Sequence, residues 1–109
     1  MLLRVRELPA SQLTLFLASE TPGFVAGPGG SIGNLCLSGA IGRFLGPGEA
    51  RPSTAAGTVE LGIDLGGLPQ PTMSASVMAG QTWRFQAWHR DQVGGQPGSS
   101  LSDAVAITF

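Results

Sequence analysis

Both tryptophans, the only histidine and two of the six arginines of this chain crowd into residues 81–91, Gln-Thr-Trp-Arg-Phe-Gln-Ala-Trp-His-Arg-Asp. Side chains alternate across a β-ribbon, so Trp83, Phe85, Ala87 and His89 share one side and Arg84, Gln86, Trp88 and Arg90 the other. A strand with large side chains on both sides belongs between two packed layers. The segment therefore predicts the central strand of a β domain, and it restricts the folds open to the rest of the chain.

The remaining sequence agrees with that restriction. Seventeen glycines and eight prolines cut it into short pieces, and no window of a dozen residues keeps an unbroken helical apolar repeat. Strands are predicted over 2–7 and, after a Leu-Pro-Ala-Ser turn at 8–11, over 13–18. Two short strands, or one broken at Gly39, are predicted over 35–37 and 41–45. Residues 58–65 alternate Val59, Leu61, Ile63 and Leu65 against Thr58, Glu60, Gly62 and Asp64, the pattern of a sheet with one wet face. A weaker strand is expected over 73–78, and Val105, Ile107 and Phe109 alternate along the last one. Residues 21–33, with Gly-Pro-Gly-Gly at 27–30, and residues 93–100 read as long glycine-rich loops. Together these predict one all-β domain over residues 1–109, an antiparallel β-sandwich of about seven or eight short strands. Trp83, Phe85 and Leu61 are its expected core.

Composition narrows the function classes. A chain of 109 residues is one domain, long enough to bury a single core. With 12% charged residues, a formal net charge of −1 and no run of like charges, it lacks the basic footprint of a nucleic-acid binder. No stretch approaches the ~20 apolar residues of a membrane-spanning helix. Arg4, Arg6 and Glu7 interrupt the start, so residues 1–9 do not read as the apolar core of a signal peptide. Every basic residue is arginine, which leaves edge strands without lysine, a common guard against sheet-to-sheet pairing. The single cysteine, Cys36, forms no internal disulfide and is expected as a small buried thiol in a strand.

No constellation of catalytic residues stands out. His89 could meet Asp91 or Asp103, but no nucleophile elbow accompanies them, and His89 is expected at the sheet end, facing partly to water. The carboxylates Glu7, Glu20, Glu49, Glu60, Asp64, Asp91 and Asp103 are scattered rather than paired for glycoside hydrolysis. Residues 27–33 lack the Gly-Lys-Ser ending of a phosphate loop. Ligand spacing for a metal is missing, so neither metal nor cofactor is expected, and calcium on Asp64 or Asp103 with loop carbonyls is the residual alternative. Trp88 faces away from Trp83 and has two readings: an exposed sugar-stacking platform or interface anchor, with His89 and Arg90 beside it, or a side chain packed beneath residues 21–33. Arg90 with Asp103 or Asp91 is read as a corner clamp between strands.

Five segments, Gly33-Asn-Leu-Cys-Leu, Ile41-Gly-Arg-Phe, Val59 to Leu65, Gly80-Gln-Thr-Trp-Arg-Phe-Gln-Ala-Trp-His-Arg-Asp and Leu101-Ser-Asp followed by Ile107-Thr-Phe, carry a resemblance over about residues 8–109. The chain resembles the carboxy-terminal module of large exported proteins of planctomycete-like bacteria, departing from it at His89 and at Ala104. The resemblance implies a non-catalytic β-sandwich, extracellular or on the cell surface, with no catalytic residue to carry over. Expected partners are accordingly proteins, including copies of the chain itself through strand edges, or a carbohydrate or peptide at Trp88 and the two loops.

Overall fold

The computed structural model describes residues 1–93 and 96–109. In chain order the strands are β1 (Leu2–Val5), β2 (Leu13–Ser19), β3 (Thr21–Ala26), β4 (Asn34–Ser38), β5 (Gly42–Arg43) and β6 (Arg51–Pro52). They continue with β7 (Val59–Gly62), β8 (Leu68–Pro69), β9 (Ser74–Ala75), β10 (Thr82–Val93), β11 (Gln96–Leu101) and β12 (Val105–Thr108). One 3₁₀ turn, Pro28–Gly30, lies between β3 and β4. The fold is an all-β sandwich with antiparallel ladders, and its strand segments are more numerous than expected because several are only two residues long.

β10 is the axis because both of its edges are paired. β2 runs along one edge from Arg84 to His89. The other edge is shared, β12 pairing from Thr82 to Phe85 and β11 from Trp88 to Val93. Leu101 stands opposite Trp88 and Val105 opposite Phe85, so Ser102, Asp103 and Ala104 face only Gln86 and Ala87. That extra residue is a β-bulge. Ser102 N–H donates to Ala87 O at 2.9 Å. Ala87 N–H donates to Ser102 Oγ, also at 2.9 Å, which leaves the Ser102 carbonyl turned elsewhere.

The alternation in β10 separates two interfaces. On one face Phe16, Ala18, Trp83, Phe85 and Ala87 pack with Leu3, Val59, Leu61 and Ile63 of the β1–β7 ribbon and its continuation. Trp83, Phe85 and Leu61 are 1%, 2% and 5% exposed, as their periodicity requires. The β3–β4 hairpin covers part of the other face, where Leu17 and Leu37 are buried. Gln86 fastens it. Its Oε1 accepts Cys36 N–H at 3.0 Å and its Nε2 donates to Asn34 O at 2.7 Å and to the Ser102 carbonyl at 2.6 Å. One side-chain amide thus satisfies the edge of β4 as a neighbouring strand would, and also satisfies the carbonyl freed by the bulge.

Three expectations need correction. Residues 21–33 are not one loop, because 21–26 form β3, an edge strand whose exposed side chains leave no apolar alternation to read. Its Gly23 is required by close approach, since a Cβ there would lie 2.6 Å from Ser38 Cβ. Residues 96–101 of the second expected loop form β11, held by backbone pairing that serine, glycine and an edge proline permit; Gly94 and Gly95 lie outside the described residues. The strand expected over 73–78 shrinks to Ser74–Ala75. By contrast, Val59, Leu61 and Ile63 are buried while Glu60, Gly62 and Asp64 are exposed, matching the one-sided pattern.

Candidate binding groove at Trp88

Trp88 lies on the face of β10 opposite the main core, between Leu15 of β2 and Leu101 of β11. The β3–β4 connection is drawn in beside it by local hydrogen bonds. Gly27 N–H donates to Gly33 O at 2.9 Å, and Ser31 N–H to Pro28 O at 2.9 Å. Ile32 N–H then donates to Ser99 O at 2.8 Å, making a parallel bridge along the outer edge of β11, and the Ser31 and Ser99 hydroxyls bond to each other. Glycine is needed at 33, where φ is +88° and a Cβ would sit 3.2 Å from Leu101 O.

The pinned turn, β4 and the chain around β5 enclose a groove of about 420 Å³ lined by Leu15, Leu17, Pro28, Gly29, Ser31, Leu35, Arg43, Leu45, Trp88 and Leu101. Trp88 is half-buried and Leu45 is 59% exposed, so the groove has an open apolar mouth. Arg43, exposed on β5, supplies the only charge among the lining residues. The two readings of Trp88 therefore meet: Pro28, Gly29 and Ser31 wall the groove, and the ring remains accessible.

The other residues singled out in the sequence do not converge there. His89 is on the core face beside Thr14 and is 8% exposed, so its expected contact with water is wrong; Nδ1 lies 3.1 Å from Arg90 O. Arg90 is exposed opposite Ser99, on the same side as Trp88 but outside the groove. Of the two partners read for the Arg90 clamp, Asp103 is set apart from it along the strand. Asp103 sits in the bulge facing Gln86, four positions from Arg90, or roughly 13 Å along a strand. Cys36 is half-buried rather than fully buried. Asp64 Oδ1 accepts Gly66 N–H at 2.8 Å, the geometry of a side chain closing its own turn. Among the described residues no group of three or more His, Cys, Asp or Glu could hold a metal ion.

Arg43, Leu35, Leu45 and Leu101 were not anticipated as groove residues. The available signal was the Leu13-Leu15-Leu17 face, an apolar stripe on the same side of the sheet as Trp88 that needed a cover or a ligand. Chemically the groove offers aliphatic walls, one aromatic face and one guanidinium. No family model, no curated protein and no solved structure matches this chain.

Proposed function

We propose that this chain is a non-catalytic interaction module of an exported or surface polypeptide, which captures an apolar, carboxylate-bearing segment of a partner protein in the Trp88 groove. The observation that carries the reading is a partly exposed tryptophan lining a groove among five leucines with a single arginine at hand. An apolar side chain buried there would gain about 1.5–3 kcal/mol, and Arg43 can take a carboxylate in a two-pronged hydrogen bond. Sugar recognition needs several converging polar groups, whereas Ser31 is already bonded to Ser99 and the leucines offer none. A peptide therefore fits better than a carbohydrate, and the export setting follows the resemblance in the sequence.

The test is selection from a displayed random-peptide library. Recovered sequences should place a large apolar residue next to Asp or Glu, and should change the tryptophan fluorescence. Trp88→Ala should weaken them by about 2 kcal/mol, roughly thirtyfold, compared at a temperature where the variant is still folded, because losing a mostly buried ring also lowers melting. Recovery of nothing above background, or peptides indifferent to Trp88→Ala, would refute the groove as the site.

A second reading, self-assembly, is favoured by a different observation. β3 pairs only with β4 among the described residues, and its Phe24 and Val25 are 69% and 48% exposed. An uncharged apolar edge is a template for a second copy. Under this reading the mass from light scattering rises from dilute to concentrated samples, and Phe24→Asp returns it to that of a monomer. A constant monomer mass would end it.

A further inference from the structure

Among the described residues the β1–β7 ribbon has two strands where the sheet it covers has more, and the shortfall has a definite place. Met1 and Ile63 exchange both backbone hydrogen bonds, at 2.7 and 3.2 Å. In an antiparallel pair such positions alternate, so Leu3 and Val5 also point their backbone groups at β7, while those of Leu2 and Arg4 point to the open side. Across that side stands the bulge at Ser102–Ala104 with the start of β12, and between them lies a slot of about 370 Å³ floored by Phe16, Phe85 and Ala87. Val105 shows what the slot lacks. It is paired with Phe85 and so belongs to the core face, yet it is 50% exposed.

We propose that the open edge of β1 is a strand-acceptor site, which takes an extended segment of another polypeptide with alternating apolar and acidic residues. Leu2 and Arg4 supply the backbone ladder. The apolar residues of the incoming strand face the slot and cover Val105, as the alternation of a completed sheet demands. Its acidic residues face outward beside Arg4 and Arg6, both exposed at the rim, and away from Asp103, the one acid that lines the slot, on the facing wall. Arg4 Nε already donates to Glu60 Oε1 at 2.7 Å, so a carboxylate from the guest extends an existing charge ladder. A second copy of β1 fits poorly, because it would bring four arginines onto one short ladder, and like charges on neighbouring strands destabilise it. The site is separate from the Trp88 groove, with which it shares no lining residue.

The probes are three capped heptapeptides, Val-Glu-Val-Glu-Val-Glu-Val, its lysine counterpart, and the glutamate peptide with a central proline. Binding is followed by anisotropy and by amide hydrogen exchange at Leu2 and Arg4. The glutamate peptide should bind and slow exchange at both amides, the lysine and proline peptides should bind about tenfold more weakly, and Arg6→Glu should reverse the charge preference. Three results overturn the proposal: no binding by the glutamate peptide, binding that leaves the Leu2 and Arg4 amides unprotected, or protection of those amides by the protein's own dimer before any peptide is added.

Discussion

Gln86→Leu should lower the unfolding free energy by roughly 3–4 kcal/mol, measured as a fall in the urea midpoint at constant m-value. The leucine keeps most of the volume and removes the hydrogen bonds. Cys36 N–H, Asn34 O and Ser102 O would each lose a partner around a side chain that is 2% exposed, so water does not replace them cheaply. Against a typical total stability of about 5–15 kcal/mol, that is a large fraction. Gln86→Glu tests the polarity of the link. It keeps an acceptor for Cys36 N–H but sets a carboxylate against two carbonyl oxygens, and it should also be strongly destabilising. If Gln86→Leu unfolds at the wild-type midpoint, the amide is not what joins the β3–β4 hairpin to the central sheet.

Gln86 also shows how far the sequence could be read. Its side of β10 followed from the period of two, because parity is local. Its role did not, because its partners lie 50, 52 and 16 residues away and nothing in a single glutamine announces them. The core residues Trp83, Phe85 and Leu61 were legible for the converse reason: apolar alternation is written along one strand and needs no distant information. β3 and β11 were misread because backbone hydrogen bonds hold them. Such strands admit glycine, proline and serine, the same residues that signal loops. Trp88 was legible as a side chain needing an explanation. Arg43 and Leu45 were not, since the groove exists only once β5 pairs with β2 at Leu17 and Ala18.

That pairing depends on a glycine, and Gly42→Ala is the substitution expected to disturb the groove from outside it. Gly42 lies opposite Ala18 in β5 and is buried. A Cβ built on it would come within 1.8 Å of Pro69 O and 2.3 Å of Pro69 C. Both are backbone atoms of β8, so no side chain can swing aside, and either β5 must leave β2 or β8 must leave the core. Leu68 beside the clash is fully buried and Phe44 beyond it is 3% exposed, so both escapes open the interior. The expected loss is about 3 kcal/mol, at the upper end for overpacking, together with a weaker response of Trp88 to any groove peptide as Arg43 and Leu45 shift. Gly62→Ala is the matched control. It also sits in a strand, nothing lies within 4 Å of its added Cβ, and its φ is not positive, so relief of glycine's chain entropy should leave it neutral or up to about 1 kcal/mol more stable. Opposite signs for the two alanines in one denaturation series would locate the constraint in the contact between β5 and β8. Equal effects would mean that those two backbones do not meet, and that the groove has another support.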